Sequence, residues 1–110
     1  MNNIQLIKEL DLEGAAVTGN ERQLTELYNG PRRRVVEVQL RKGAVLSRHH
    51  ANEPITVLCL SGTGTFTAGP DLEDSQDLRA GTLITLEAGV EHEVIAAEDL
   101  HLIVSKFKDS

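Results

Sequence analysis

GAVLSRHHANEPITVLCLSG, residues 43–62, is the stretch on which the fold reading turns. It opens on a turn glycine, Gly43, reaches His49 after five residues, passes Ala51 and Ile55, and closes at Gly62. The run Ile55-Thr56-Val57-Leu58-Cys59-Leu60 is apolar, rich in β-branched residues, and bounded by Pro54 and by Ser61-Gly62-Thr63-Gly64. A short apolar run between turn signals reads as a strand rather than a helix. A second stretch, GTLITLEAGVEHEVIA at residues 81–96, is built the same way, with Gly81, Glu87, Gly89, His92 and Ala96 in order.

Outward from these stretches the chain remains strand-like. Residues 23–28 and 33–40 form two strands joined by Asn29-Gly30, a dipeptide that accepts the positive φ angles of a tight hairpin. Val36, Val38 and Leu40 alternate with Glu37, Gln39 and Arg41, which is the period of a half-buried strand. Further strands are expected at 65–68, 82–86, 91–96 and 100–107, with the acidic residues 71–77 as a polar loop and 11–20 as a surface loop. Residues 4–10 read as a short strand or a helical turn. No segment sustains a helical period, so the expectation is an all-β antiparallel sandwich or barrel of about ten short strands.

The paired spacing resembles the two-part signature of the cupin superfamily, specifically small single-domain, RmlC-like jelly rolls. The resemblance implies an antiparallel jelly-roll β-barrel over residues 23–110, with residues 1–22 packing on it as a strand or loop segment. It also implies a metal position. Metal-binding cupins draw ligands from positions that correspond here to His49, Ala51, Ile55 and His92, so two of the four are retained in this chain. Glu87 and Ala96 stand where the second motif typically has proline and asparagine.

Side chains alternate across a strand, so His49, Ala51, Ile55, Val57 and Cys59 share the barrel-facing side if His49 is the inward histidine. His92 and Val94 face the same interior, with Phe66 beside them. The count from Gly43 favours His49, while the count back to Gly62 permits His50, with Arg48 then at the first histidine position. Two imidazoles suit zinc, iron, nickel or manganese, and His50 or Glu53 would be an additional ligand. Equally, the two histidines are ordinary mouth residues held by backbone or water hydrogen bonds, because buried polar groups are normally satisfied. His101 reads as a surface histidine, since 100–104 is apolar on both parities.

The remaining chemistry is sparse. Cys59 lies in an apolar run where a thiolate is disfavoured, Ser61 lacks a nucleophile-elbow context, and Gly62-Thr63-Gly64 is a turn with no phosphate-loop lysine after it. The 110 residues make one domain whose core is aliphatic, because only two Phe, one Tyr and no Trp are present. A net charge of −6 repels phosphate backbones and anionic lipid, so neither nucleic acid nor a membrane is expected as partner. The basic run Arg32-Arg33-Arg34 reads as a solvated strand edge. One cysteine, no long apolar run and no leader pattern point to a cytoplasmic protein.

Two functions follow. One is a small-molecule binding module with an apolar cavity and histidines that orient the ligand. The other is a metal-dependent cupin enzyme of oxygenase or isomerase type with His49 and His92 as ligands, to which no general acid or base can be assigned. Val57, Leu58 and Leu86 are expected in the core. Because Leu58 and Leu60 make the second face of the 55–60 run apolar too, a cover is expected there: the other sheet's edge, residues 4–10, or the second subunit of a homodimer.

Overall fold

A computed structural model describes residues 3–13 and 21–109, and these form nine strands and no helix. In chain order they are β1 (Arg22–Asn29), β2 (Arg33–Leu40), β3 (Val45–His49), β4 (Ile55–Ser61), β5 (Gly64–Ala68), β6 (Asp74–Leu78), β7 (Leu83–Leu86), β8 (His92–Ala96) and β9 (Leu100–Phe107). They make two antiparallel sheets, ordered β1-β2-β9-β4-β7 and β3-β8-β5-β6. The jelly roll is therefore two facing sheets rather than a continuously closed barrel. No helix among the described residues is long and apolar enough to cross a membrane.

Period-two alternation builds the core. Val36, Val38 and Leu40 of β2, Ile55, Val57 and Cys59 of β4, and Leu100 and Leu102 of β9 face Phe66, Ala68, Leu78, Val94 and Ala96 of the other sheet. At Gly62, between β4 and β5, φ is +89° and a Cβ would collide with the backbone of Asp99, so only glycine lets these segments approach.

Four expectations are corrected. Residues 74–78, read as part of an acidic loop, form β6, which is exposed at its first four positions. It is an edge strand pairing only with β5, and charge on such an edge discourages pairing with other molecules. Residues 4–10 form no regular element, and most of the expected loop, residues 14–20, lies outside the described residues. Leu58, expected in the core, is 36% exposed, whereas Val57 is buried and Leu86 half-buried. Leu58 sits on the outer face of its sheet between Ile103 and Leu83, and the N-terminal segment lies over β2 and β9 instead.

The fourth correction is His101, expected at the surface but only 1% exposed. Its Nε2 meets Glu37 Oε2 at 2.7 Å and its Nδ1 meets the Leu12 carbonyl oxygen at 3.0 Å. Lys8 Nζ donates to the other Glu37 oxygen at 3.0 Å. The outer face of β2 and β9 is thus a polar layer sealed by residues 8–12. Burial works to raise the Glu37 carboxyl, but the Lys8 and His101 hydrogen bonds and charges outweigh it and hold the group below the ordinary carboxylate range.

Candidate functional site

The site lies on the inner faces at one open end of the two sheets. Between Leu46 and His49 the β3–β8 register shifts: Leu46 pairs with Val94 and His49 with His92. Three steps on β3 therefore match two on β8. A bulge of this kind re-aims side chains, and here it lets both Leu46 and His49 face the interior, which strict alternation forbids. The turn before β8 is tied to the segment after β3 by the Gly89 N–H donating to the Ala51 carbonyl at 2.8 Å. The two histidine-bearing stretches are thereby locked together.

The rings of His49 and His92 meet edge-on, with centroids 4.2 Å apart. Phe66 stacks on His92 at 5.6 Å and an interplanar angle of 7°. Each histidine donates from Nδ1 to a backbone carbonyl two residues earlier, His49 to Ser47 at 2.7 Å and His92 to Val90 at 3.0 Å. A carbonyl can only accept, so Nδ1 carries the hydrogen and Nε2 of each neutral ring keeps its lone pair. His92 is buried and His49 exposed. Burial first, with a smaller contribution from the Lys106 ammonium, pushes His92 below the ordinary histidine range, against the opposing effect of its hydrogen bond to the Val90 carbonyl.

Both rings line a cavity of about 70 Å³ with Val36, Val38, Ala51, Ile55, Val57 and Phe66 among its walls. Lys106 lines it as well. Of the other residues singled out in the sequence, His50 is exposed and outside the lining, Glu53 is outside it, and Cys59 and Val94 are buried in the core. Burial pushes the Cys59 thiol up, against a smaller opposing effect of the Ser61 backbone. Lys106, Leu24 and Leu46 line the cavity although sequence reading did not find them. The alternation Leu102, Val104, Lys106 along β9 was the signal for the lysine; the bulge left none for Leu46.

A sequence profile for the Cupin domain matches residues 35–105. The chain belongs to the cupin family. A search of curated proteins gave no match. The fold is similar to that of a conserved protein of unknown function from Streptococcus pyogenes, 24% identical with a TM-score of 0.79 over 99% of this chain and 94% of that one. It is also similar to a cupin superfamily protein from Desulfitobacterium hafniense, at 15% identity and a TM-score of 0.80 over 98% and 97% of the two chains. KdgF from Halomonas sp. is 15% identical with a TM-score of 0.70 over 92% and 93%.

As a cupin, the chain can be tested for fit to a metal. Ala51 and Ile55 offer no donor atoms at two of the implied ligand positions, and no three His, Cys, Asp or Glu side chains converge among the described residues. A cationic lysine shares the lining. Two imidazoles beside an ammonium do not fit a tightly held divalent cation, which in proteins takes three or four ligands and often a carboxylate.

Proposed function

We propose that this cupin binds a small organic molecule in the cavity between its sheets, the two histidines orienting the ligand. The carrying observation is the make-up of the cavity: aliphatic walls, one stacked aromatic, and two adjacent imidazoles whose Nε2 atoms make no hydrogen bond among the described residues. Small-molecule sites are built in this way, from mostly apolar surface with a few placed polar groups. A screen of small organic compounds by protein-observed NMR tests it. Binders should shift the resonances of Val57, Phe66 and His92, and Ala51→Phe, which adds a ring to the cavity wall, should abolish those shifts. Binding confined to other surfaces would sink the proposal.

A second reading is the metal-dependent enzyme, of oxygenase or isomerase type with zinc, iron, nickel or manganese. Its support is the same pair of Nε2 atoms, held in the tautomer a metal requires. Elemental analysis of untagged protein purified without chelator, beside His49→Ala and His92→Ala, separates the readings: stoichiometric metal lost in both variants would favour the enzyme. For assembly, the contiguous outer-face row Ile103, Leu58 and Leu83, with Leu83 66% exposed, supports a homodimer through β4 and β7. The single buried thiol suits a reducing, cytoplasmic setting.

A further inference from the structure

The charge around the cavity is opposite to the charge of the molecule. The chain carries a net −6, with 17 acidic residues. None of them lines the cavity, and none lines the groove that continues from its entrance along Arg22, Leu24, Leu46, Ser47, Arg48, His49 and Lys106. Glu26 accepts from Arg34 at 2.7 Å, and Glu91 pairs with Arg48 of the groove, so Arg22 and Lys106 are the groove's cations that make no ion pair among the described residues. Lys106 shares the inner face of β9 with Leu102 and Val104 and is half-buried. It makes no ion pair among the described residues. A half-buried ammonium without a counter-ion can take one, and a carboxylate brought to it forms a charge-assisted hydrogen bond.

We propose that the ligand is a small hydroxy acid, its carboxylate held by Lys106, its hydroxyl donating to Nε2 of His49 or His92, and its apolar chain against Val36, Val57 and Phe66. This inference rests on the small-molecule reading and narrows it. Each part of the ligand answers a feature of the site. The ammonium can only donate, so it takes an anion. With Nδ1 bonded to a backbone carbonyl, Nε2 of an uncharged ring can only accept, so it takes an O–H. The walls take hydrocarbon, and a cavity of about 70 Å³ admits only a compact body, since a single water already needs roughly 10–15 Å³.

The test uses the full chain in EDTA and three probes: 2-hydroxy-3-methylbutanoate, its primary amide, and 3-methylbutanoate. Affinities are read by NMR titration of the cavity resonances. The hydroxy acid should bind at least tenfold more tightly than either analogue. Lys106→Met, which keeps the stem, should erase its advantage over the amide, and Lys106→Arg should keep it. Equal binding of acid and amide at the cavity would overturn the anion assignment while leaving a small-molecule site standing. Equal binding of 3-methylbutanoate would overturn the hydroxyl assignment. Absence of any cavity response up to 50-fold excess of each probe over protein would overturn the inference, and the screen above then decides the broader reading separately. Binding that appears only on replacing EDTA with zinc would overturn direct capture by Lys106.

Discussion

Strand β9 carries a histidine on one face and a lysine on the other, and the two environments are built on opposite plans. On the outer face, His101 is buried with both ring nitrogens engaged, and Glu37 is engaged by His101 and Lys8. On the inner face, Lys106 lines a cavity with His49 and His92, whose rings have one nitrogen committed to the backbone and one open. Burial alone does not distinguish them, since His92 is 5% exposed and His101 1%. The difference is satisfaction. A polar group whose every partner comes from its own chain holds the fold together, while one that keeps an open position beside a cavity is available to a ligand.

The largest expected effect is on the outer face. Glu37→Ala leaves the His101 ring and the Lys8 ammonium without their carboxylate, and breaking a buried pair costs about 3 kcal/mol or more. Urea denaturation measures it, and a loss under about 1 kcal/mol would break the comparison by showing the layer to be dispensable. Acid should act through the same group. Because the folded Glu37 carboxyl sits below its ordinary value of 4.5, protons bind the unfolded chain first. Its stabilising contribution is present above that value and is lost as pH falls through the folded pKa. Denaturation midpoints should therefore drop in acid, and Glu37→Gln should flatten that slope.

Effects at the mouth are smaller for stability and larger for binding. His92→Ala removes the stack on Phe66, worth about 1 kcal/mol. His49→Ala, at an exposed position, should change stability by less than about 0.5 kcal/mol. Both should weaken binding of any cavity ligand. A His49→Ala variant as destabilised as Glu37→Ala would erase the contrast between the two faces. The smallest stability effect belongs to Leu58→Asp, which should leave the monomer folded, as Leu58 is 36% exposed, yet shift sedimentation from dimer to a single chain. An unaltered sedimentation coefficient would place any dimer contact elsewhere.

Much of the fold was legible in the sequence because strand alternation is a local rule. Val36, Val38 and Leu40, or Ile55, Val57 and Cys59, mark an inward face whatever the rest of the chain does, and all six are buried. Turn glycines such as Gly62 are legible for the same reason. Their order along the chain, together with the His49 and His92 spacing, was sufficient for the cupin reading.

Tertiary structure decided everything that depends on what lies across a strand from distant residues. Residues 8–12 cover Glu37 and His101, and the N-terminal segment does not cover Leu58; no local pattern says which outer face a flanking segment will choose. The acidic edge strand β6 reads as a loop because its pairing partner supplies the order that its own residues do not. The β3 bulge inserts one residue into the register, so Leu46 and His49 share a face that alternation assigns to only one of them. Lys106 acquires meaning only when the inner face of β9 meets the imidazoles of β3 and β8, because charge at a site is a sum over neighbours brought together by folding, whereas alternation is a property of the backbone within each strand.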